Sequence, residues 1–305
     1  MKTHPYALVS RDHHPEDSVI TIRGVEMGGN NLPVIIAGPC SVESREQILE
    51  TAIGVKEAGA QMLRGCVYKP RTSPYNFQGL GVEGLPYLED AGEITGLPTV
   101  TEAMDNADVD AVLPYTQVIQ IGSRNGLNYR LISYAAKKVA EQGKVLLLKR
   151  QTGSSIDELL GAAEYAAIEF DKRGKEPQIL LCLRGTKIGP LQEKYRNNPD
   201  YEDIPGLKAK THLPVIFDPS HAAGKREYIL PLSLAAMEYG ADGLMIETHC
   251  SPHLALTDAA QQITPAQLRR IINEVNEVKQ RENSLAGIDI YGMDIPTKYE
   301  DGGVQ

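Results

Sequence analysis

The sequence contains no run of ~18 apolar residues, the length a membrane-spanning helix requires, so no such helix is expected. Its opening stretch, MKTHPYALVSRDHHPEDS, lacks the apolar core of a secretory signal. No CxxC pair occurs: Cys40, Cys66, Cys182 and Cys250 are widely spaced, which argues for reduced thiols and against a disulfide framework. An excess of basic charge is missing too. The formal net charge is −9, which speaks against nucleic acid as a partner of the chain as a whole. Any anionic substrate must then be captured by a local positive site. Internal repeats and low-complexity segments are also lacking. With 42% apolar and 23% charged residues, the composition is that of a globular protein, expected in the cytoplasm with neither membrane nor nucleic-acid partners.

What is present is a regular alternation. Eight short apolar runs read as strands: 32–38, 60–65, 97–102, 117–122, 144–149, 178–185, 213–218 and 242–247. Between them, SREQILETAIGVKEAG, VEGLPYLEDAGEI, NYRLISYAAKKVAEQ, SIDELLGAAEYAAIEF and REYILPLSLAAMEYG carry a helical period. Ser155 followed by Glu158 is a helix-start signal, and Thr72-Ser73-Pro74 marks a turn or a helix start. Near-continuous apolar strands alternating with helices imply a parallel sheet covered on both faces. Eight such units in 305 residues most simply close into a (β/α)8 TIM barrel, for which about 250 residues is typical. An open doubly wound sheet would normally carry GxGxxG after its first strand, where this chain has GPCSVES. Residues 1–31, including SVITIRGVEMGGNN, predict an N-terminal extension with a short β-hairpin that plugs the barrel bottom. Residues 32–281 are expected to form the catalytic barrel and 282–305 a turn-rich tail, with no room in either flank for a separate regulatory domain.

Active sites in such barrels form at the C-terminal ends of the strands. Here those ends deliver Cys40, Arg64 with Lys69 and Arg71, Glu102, Arg124, Lys149 with Arg150, Arg184 with Lys187, Asp218 with His221, and Glu247 with His249. Any one of these would usually be a solvated strand-end charge, but surface charge has no reason to favour the same end of every strand. Two sets separate by chemistry. Cys40, His221 and Glu247, with Asp258 as a fourth candidate, offer thiolate, imidazole and carboxylate, a set suited to Mn2+, Fe2+, Co2+ or Zn2+ rather than Mg2+ or Ca2+. Arg64, Lys69, Arg71, Arg124, Lys149 and Arg184 form a cationic set able to neutralise more than one phosphate or carboxylate. A metal-assisted enzyme acting on small phosphorylated, carboxylated molecules is the reading these residues support.

GPCSVES, RGCVYKPRTSPYNFQGLG, TEA, IQIGSRN, LLKR, LRGTK, DPSHAAG, ETH and LTDAAQQITP follow one another from Gly38 to Pro265. This series resembles 3-deoxy-D-arabino-heptulosonate 7-phosphate (DAHP) synthase, in the compact branch related to 3-deoxy-D-manno-octulosonate 8-phosphate (KDO8P) synthase. The resemblance covers roughly three-quarters of the chain, and the KPRTSPYNFQGLG run is its most specific part. It implies a metal-dependent aldol-type condensation of phosphoenolpyruvate with erythrose 4-phosphate, the entry step of the shikimate pathway, in a homo-oligomer (tetramer or dimer). By the same resemblance Cys40, His221, Glu247 and Asp258 hold the metal. Arg64, Lys69, Ser123, Arg124, Lys149 and Arg184 take phosphoenolpyruvate, and Pro70, Arg71, Thr72 and Asp218 take the sugar phosphate. Lys69 is a candidate proton donor or relay, or else a charge clamp only, and Glu102 a candidate for activating water; Cys40 and His221 complete the catalytic set.

Some positions depart from that pattern. Leu183 and Lys187 in LRGTK resemble the larger branch of the family, Cys66 and Val67 stand where smaller residues are frequent, and Cys250 follows ETH where proline is usual. KDO8P synthase, which uses arabinose 5-phosphate, is the nearest alternative, but it usually carries a KANRS-like segment where this chain has KPRTS. A specialised-pathway homologue using another aldose phosphate, and a non-catalytic phosphosugar-binding barrel, remain further alternatives. The expected absence of a regulatory domain implies little inhibition by aromatic amino acids.

Overall fold

Each of the eight expected apolar runs is a strand, and all eight are parallel. The structure, a computed structural model of the chain, describes residues 5–285. Strands β1 (Ile20–Ile22) and β2 (Val25–Met27) form the expected antiparallel hairpin. The barrel strands are β3 (Val34–Gly38), β4 (Met62–Arg64), β5 (Thr99–Ala103), β6 (Val118–Ile121), β7 (Val145–Lys149), β8 (Ile179–Leu183), β9 (Val215–Phe217) and β10 (Gly243–Glu247). They pair in sequence order, and β10 closes onto β3 with Gly243 opposite Val34 and Glu247 opposite Gly38. Every barrel strand is buried along its whole length, which is why these segments read as continuous apolar runs instead of alternating ones.

Helices cover the outside: α1 (Arg45–Ala58), α2 (Leu85–Thr95), α3 (Asn106–Val112), α4 (Tyr129–Gln142), α5 (Ile156–Asp171), α6 (Ile204–Lys210), α7 (Pro219–Ala223), α8 (Ile229–Glu238) and α9 (Pro265–Leu285). The five helices expected from periodicity are α1, α2, α4, α5 and α8. Ser155 caps α5 in a full capping box with Glu158. Thr72-Ser73-Pro74 proves to be a turn, not a helix start. The short α3, α6 and α7 gave little periodic signal because each spans at most two turns. Helix α9 runs past the expected boundary at Arg281, and the rest of the expected tail, from residue 286, lies outside the described residues.

Two apolar clusters follow from the two-residue alternation of each strand. Outward residues such as Leu63, Leu146, Leu148, Leu181 and Leu244 pack against the helices. Inward residues Ile36, Met62, Val100, Val118, Leu147, Cys182, Ile216 and Met245 fill the barrel, and Ile20, Ile22 and Met27 of the hairpin join them. The hairpin therefore does plug the barrel interior. Two residues beyond Met62, Val100, Val118, Leu147, Cys182, Ile216 and Met245, in the same inward phase, stand Arg64, Glu102, Gln120, Lys149, Arg184, Asp218 and Glu247. Along the inward face, the barrel turns from apolar to polar or charged within one step of the pleat.

Candidate active site

The cationic set converges on one cavity of about 330 Å³ at the C-terminal mouth of the barrel. Arg64, Lys69, Ser123, Arg124, Lys149 and Arg184 all line it. The loop after β4 contributes Pro70, Arg71 and Thr72 to the same wall. Arg64, Lys69, Lys149 and Arg184 are nearly excluded from solvent, whereas Arg124 and Thr72 lie at the exposed rim. Burial lowers the Arg184 guanidinium. Burial would also lower the Lys69 ammonium, but the surrounding Cys40, Cys66, Glu102 and Glu247 raise it on balance, so it stays charged.

Glu102 and His221 also line the cavity. Gln120 Nε2 donates to Glu102 Oε2 at 2.9 Å. A Cβ at Gly122 would collide with the Glu102 carboxylate, so that glycine is what lets β6 approach it. Asp218, expected at the sugar, is not on the cavity wall: it is fully buried, and its Oδ2 accepts from Lys149 Nζ and from His221 Nδ1 at 2.7 Å. Its place in the barrel's inward phase turns it toward His221 and Lys149; burial raises its carboxyl, but the interactions with these two groups outweigh burial and hold it well below the usual carboxylate range. Arg150, one residue out of that phase, points away and pairs with Asp200 at 3.0 Å and Asp203 at 2.7 Å.

The proposed metal donors also meet. Ligand atoms of Cys40, Glu247 and Asp258 lie within 4.8 Å of one another, and Cys40 Sγ is 3.3 Å from Asp258 Oδ2. His221 Nε2 is 3.5 Å from Glu247 Oε1 and 3.9 Å from Asp258 Oδ2. Because Nδ1 of His221 is committed to Asp218, Nε2 is the nitrogen left to face these donors, the arrangement a carboxylate-oriented metal histidine needs. Burial lowers His221, outweighing Asp218 and Glu247, so the ring is neutral as ligation requires. Glu247 Oε1 is buried and accepts no hydrogen bond among the described residues. Burial, with Glu247 and Asp258 close by, pushes the Cys40 thiol well up, and a coordinated cation would reverse that. A buried carboxylate oxygen whose charged neighbour is Arg64 Nη2 at 3.1 Å, a neutral histidine and a thiol at one point fit a divalent transition ion.

Among the polar residues that sequence reasoning missed here are Gln120, Arg196, Asn197 and Gln261. Gln120 could have been found from strand phase, since it is two residues beyond the inward Val118. Arg196, Asn197 and Gln261 come from irregular segments without periodic signal: Arg196 and Asn197 line the cavity, and Gln261 Nε2 donates to Glu247 Oε2 at 2.6 Å. Of the departures, Cys66 is buried, with Sγ 3.7 Å from Arg64 Nη2 and 3.9 Å from Glu102 Oε2. Cys250 is half-buried beside His249, and all four cysteines are free.

Fold and site together define a (β/α)8-barrel enzyme whose mouth is built for small anionic substrates. The chain belongs to the DAHP synthetase I family, which residues 13–283 match. It is similar to phospho-2-dehydro-3-deoxyheptonate aldolase of Thermotoga maritima, 43% identical over 274 residues that span 90% of this chain and 78% of the relative. It is also similar to 2-dehydro-3-deoxyphosphooctonate aldolase of Bradyrhizobium diazoefficiens, 30% identical over 278 residues covering 84% of this chain and 93% of the relative. Among solved structures, the Thermotoga maritima DAHP synthase superposes with a TM-score of 0.82 at 42% identity, over 92% of this chain and 78% of that one. A truncated form of that organism's enzyme gives 0.79 at 38% identity and is covered over 98% of its length. Among the described residues, no helix is long and apolar enough to cross a membrane.

Proposed function

We propose that this chain condenses phosphoenolpyruvate with D-erythrose 4-phosphate to give DAHP and phosphate. One observation carries the reading: a single cavity brings the KPRT segment, the buried cations and His221 and Asp258 of the metal donor set face to face. In this reading residues 32–281 are one catalytic barrel, the protein works in the cytoplasm as a homo-oligomer (tetramer or dimer), and the reaction opens the shikimate pathway.

Arg64, Lys69, Arg124, Lys149 and Arg184 bind the phosphate and carboxylate of phosphoenolpyruvate. Pro70, Arg71 and Thr72 receive the phosphate of the sugar. These groups hold two polyanions together in reactive geometry, against their mutual repulsion. Cys40, His221, Glu247 and Asp258 would hold a divalent ion, Mn2+, Fe2+, Co2+ or Zn2+, which supplies Lewis-acid or orienting chemistry at the aldehyde.

C3 of phosphoenolpyruvate attacks the aldehyde carbon of the sugar, and the aldehyde oxygen takes a proton to become a hydroxyl. Lys69, charged and at the cavity wall, is placed to donate or relay that proton. Positive charge develops at C2, where water adds and gives up a proton to Glu102. The C2–O bond to phosphate then breaks, the C2 hydroxyl loses its proton, and a ketone and inorganic phosphate remain.

The phosphooctonate relatives favour a second reading in which arabinose 5-phosphate replaces erythrose 4-phosphate. The test gives purified protein phosphoenolpyruvate with either sugar and Mn2+, and follows phosphoenolpyruvate loss. Turnover with erythrose 4-phosphate is expected; a preference for arabinose 5-phosphate selects the second reading, and no turnover with either sinks both.

A further inference from the structure

The segment between β8 and α6 crosses the cavity mouth and reaches the metal donors from outside. Its Arg196 and Asn197 backbone amides donate to Ala223 and Ala222 of α7 at 3.0 and 3.1 Å. Asn197 Nδ2 donates to the carbonyl of His221, on the same helix, at 2.7 Å. The approach depends on Gly224 (φ +71°), where a Cβ would press against that of Arg196. This segment thereby fixes the short helix that carries His221.

The same arginine reaches the carboxylates. Arg196 Nη1 lies 3.3 Å from Asp258 Oδ1 and 2.9 Å from Gln261 Oε1. Gln261, itself buried, passes the contact on by donating from Nε2 to Glu247 Oε2 at 2.6 Å. The outcome is the same at both acids: one oxygen is held and the other faces the donor cluster. Asp258 keeps Oδ2 toward Cys40 Sγ and His221 Nε2. Glu247 keeps Oε1 toward His221 Nε2 at 3.5 Å; that oxygen accepts no hydrogen bond among the described residues, and its ion-pair neighbour there is Arg64 Nη2 at 3.1 Å. Asp258 also has a left-handed backbone (φ +46°), a conformation that aspartate tolerates but that has to be held in place by its surroundings.

We propose that Arg196 is a positioning residue for the metal centre: with Gln261 it orients Asp258 and Glu247 so that one oxygen of each is presented to a divalent ion. The inference rests on the metal-site reading above and deepens it. Two effects of Arg196 oppose each other. Its positive charge repels an incoming cation, while its hydrogen bonds pre-orient two ligands. Arg196 is exposed, so water and salt screen its charge, and orientation wins. Gln261 is neutral and carries the orienting role without the charge.

The test measures the dissociation constant of Co2+ for the metal-stripped protein without substrates, by chelator competition, and records the cysteine–cobalt charge-transfer band. Loss of an outer partner of a ligand typically weakens affinity about 10–100-fold. Arg196→Met and Gln261→Leu are both expected to weaken Co2+ binding in that range and alter the band, with Arg196→Lys recovering part of the loss. Unchanged affinity in both variants overturns the proposal, as does tighter binding in Arg196→Met, which would mean that charge repulsion dominates. If Arg196 instead serves the sugar phosphate, Arg196→Met raises the KM for erythrose 4-phosphate and leaves Co2+ affinity untouched, again overturning it. Failure of the unsubstituted protein to bind Co2+ removes the metal-site reading itself and the relay with it. Because Arg196 is at the surface and Gln261 is buried, the arginine variant also separates positioning from a general loss of folding.

Discussion

Arg64 Nη2 lies 3.1 Å from Glu247 Oε1, and both side chains are buried at the inner mouth of the barrel. The pair joins the cationic wall to the proposed metal donors. Arg64 Nε and Nη1 have no partner among the described residues, although buried donors are normally satisfied. An anion that accepts from these atoms removes that cost. Phosphoenolpyruvate is therefore expected to stabilise the protein without metal or sugar. At ~100 times its Kd the gain is about 2.7 kcal/mol, or a rise in Tm of about 5 °C. Arg64→Lys, which keeps the charge but loses the fork, should weaken phosphoenolpyruvate about tenfold or more in a thermal-shift titration. No shift with the unsubstituted protein would contradict the anion-site assignment.

Gly122 has an ordinary φ of −69°, so alanine there meets no backbone strain. Its Cβ does collide with Glu102. Gly122→Ala should therefore displace Glu102 and lower kcat by about 100-fold, the scale of a lost general base, while the circular-dichroism spectrum stays that of the folded barrel. An active Gly122→Ala enzyme would remove Glu102 from the chemistry.

Metal dependence should divide the cysteines. EDTA is expected to abolish turnover and Mn2+ to restore it. Cys40→Ala should weaken metal affinity by ~100-fold or more, because the thiol is a proposed direct ligand. Cys250→Ala removes a thiol that lies 3.9 Å from the Gln47 carbonyl of α1 and 3.7 Å from His249 Nδ1, and should leave both activity and affinity nearly unchanged. Metal analysis of each purified variant checks the outcome.

His212 lies at the other end of the barrel, with Nε2 donating to the Leu8 carbonyl at 3.0 Å and Nδ1 accepting from Ser18 Oγ at 2.7 Å. Burial lowers its pKa from the ordinary histidine value, with the Leu8 carbonyl opposing and His14 adding to the shift. Above about pH 6.5 the ring is neutral folded and unfolded, so no stability depends on it. Below that, the unfolded chain takes up the proton first, and stability falls as pH drops. In urea titrations at pH 7.5 and 5.5, His212→Asn should show a smaller loss than the unsubstituted protein; an equal loss would exclude His212 as a contributor.

The hairpin should behave as a plug and not as part of the site. Ile20→Ala removes a fully buried side chain from the barrel interior and is expected to cost about 2–5 kcal/mol. kcat at 25 °C should change little. Denaturant unfolding and steady-state kinetics on the same preparation separate the two.

Much of this could be read along the chain because the barrel repeats one device eight times. An apolar run buried on both faces identifies each strand, and the next polar residue in its inward phase identifies the site, as with Leu147 and Lys149 or Met245 and Glu247. Cys40, His221 and Glu247 were legible as groups delivered by strand ends, Asp258 as a residue just after the last strand, and KPRTS by its place after the second strand, helped by the family resemblance. Asp218 was expected at the sugar, yet its oxygens accept from Lys149 and His221. Only a three-dimensional arrangement decides which of two neighbouring polar groups a carboxylate meets.

Strand count, parallel order and the rim where charge collects all follow from local hydrophobic pattern and chain order. Tertiary structure alone decided the rest. It brought Arg196 and Gln261, from segments without periodicity, onto the Asp258 and Glu247 carboxylates, and it set Gly122 against Glu102. Those contacts depend on how loops close over a barrel, and loop closure is governed by packing between residues far apart in the chain, which no local pattern encodes.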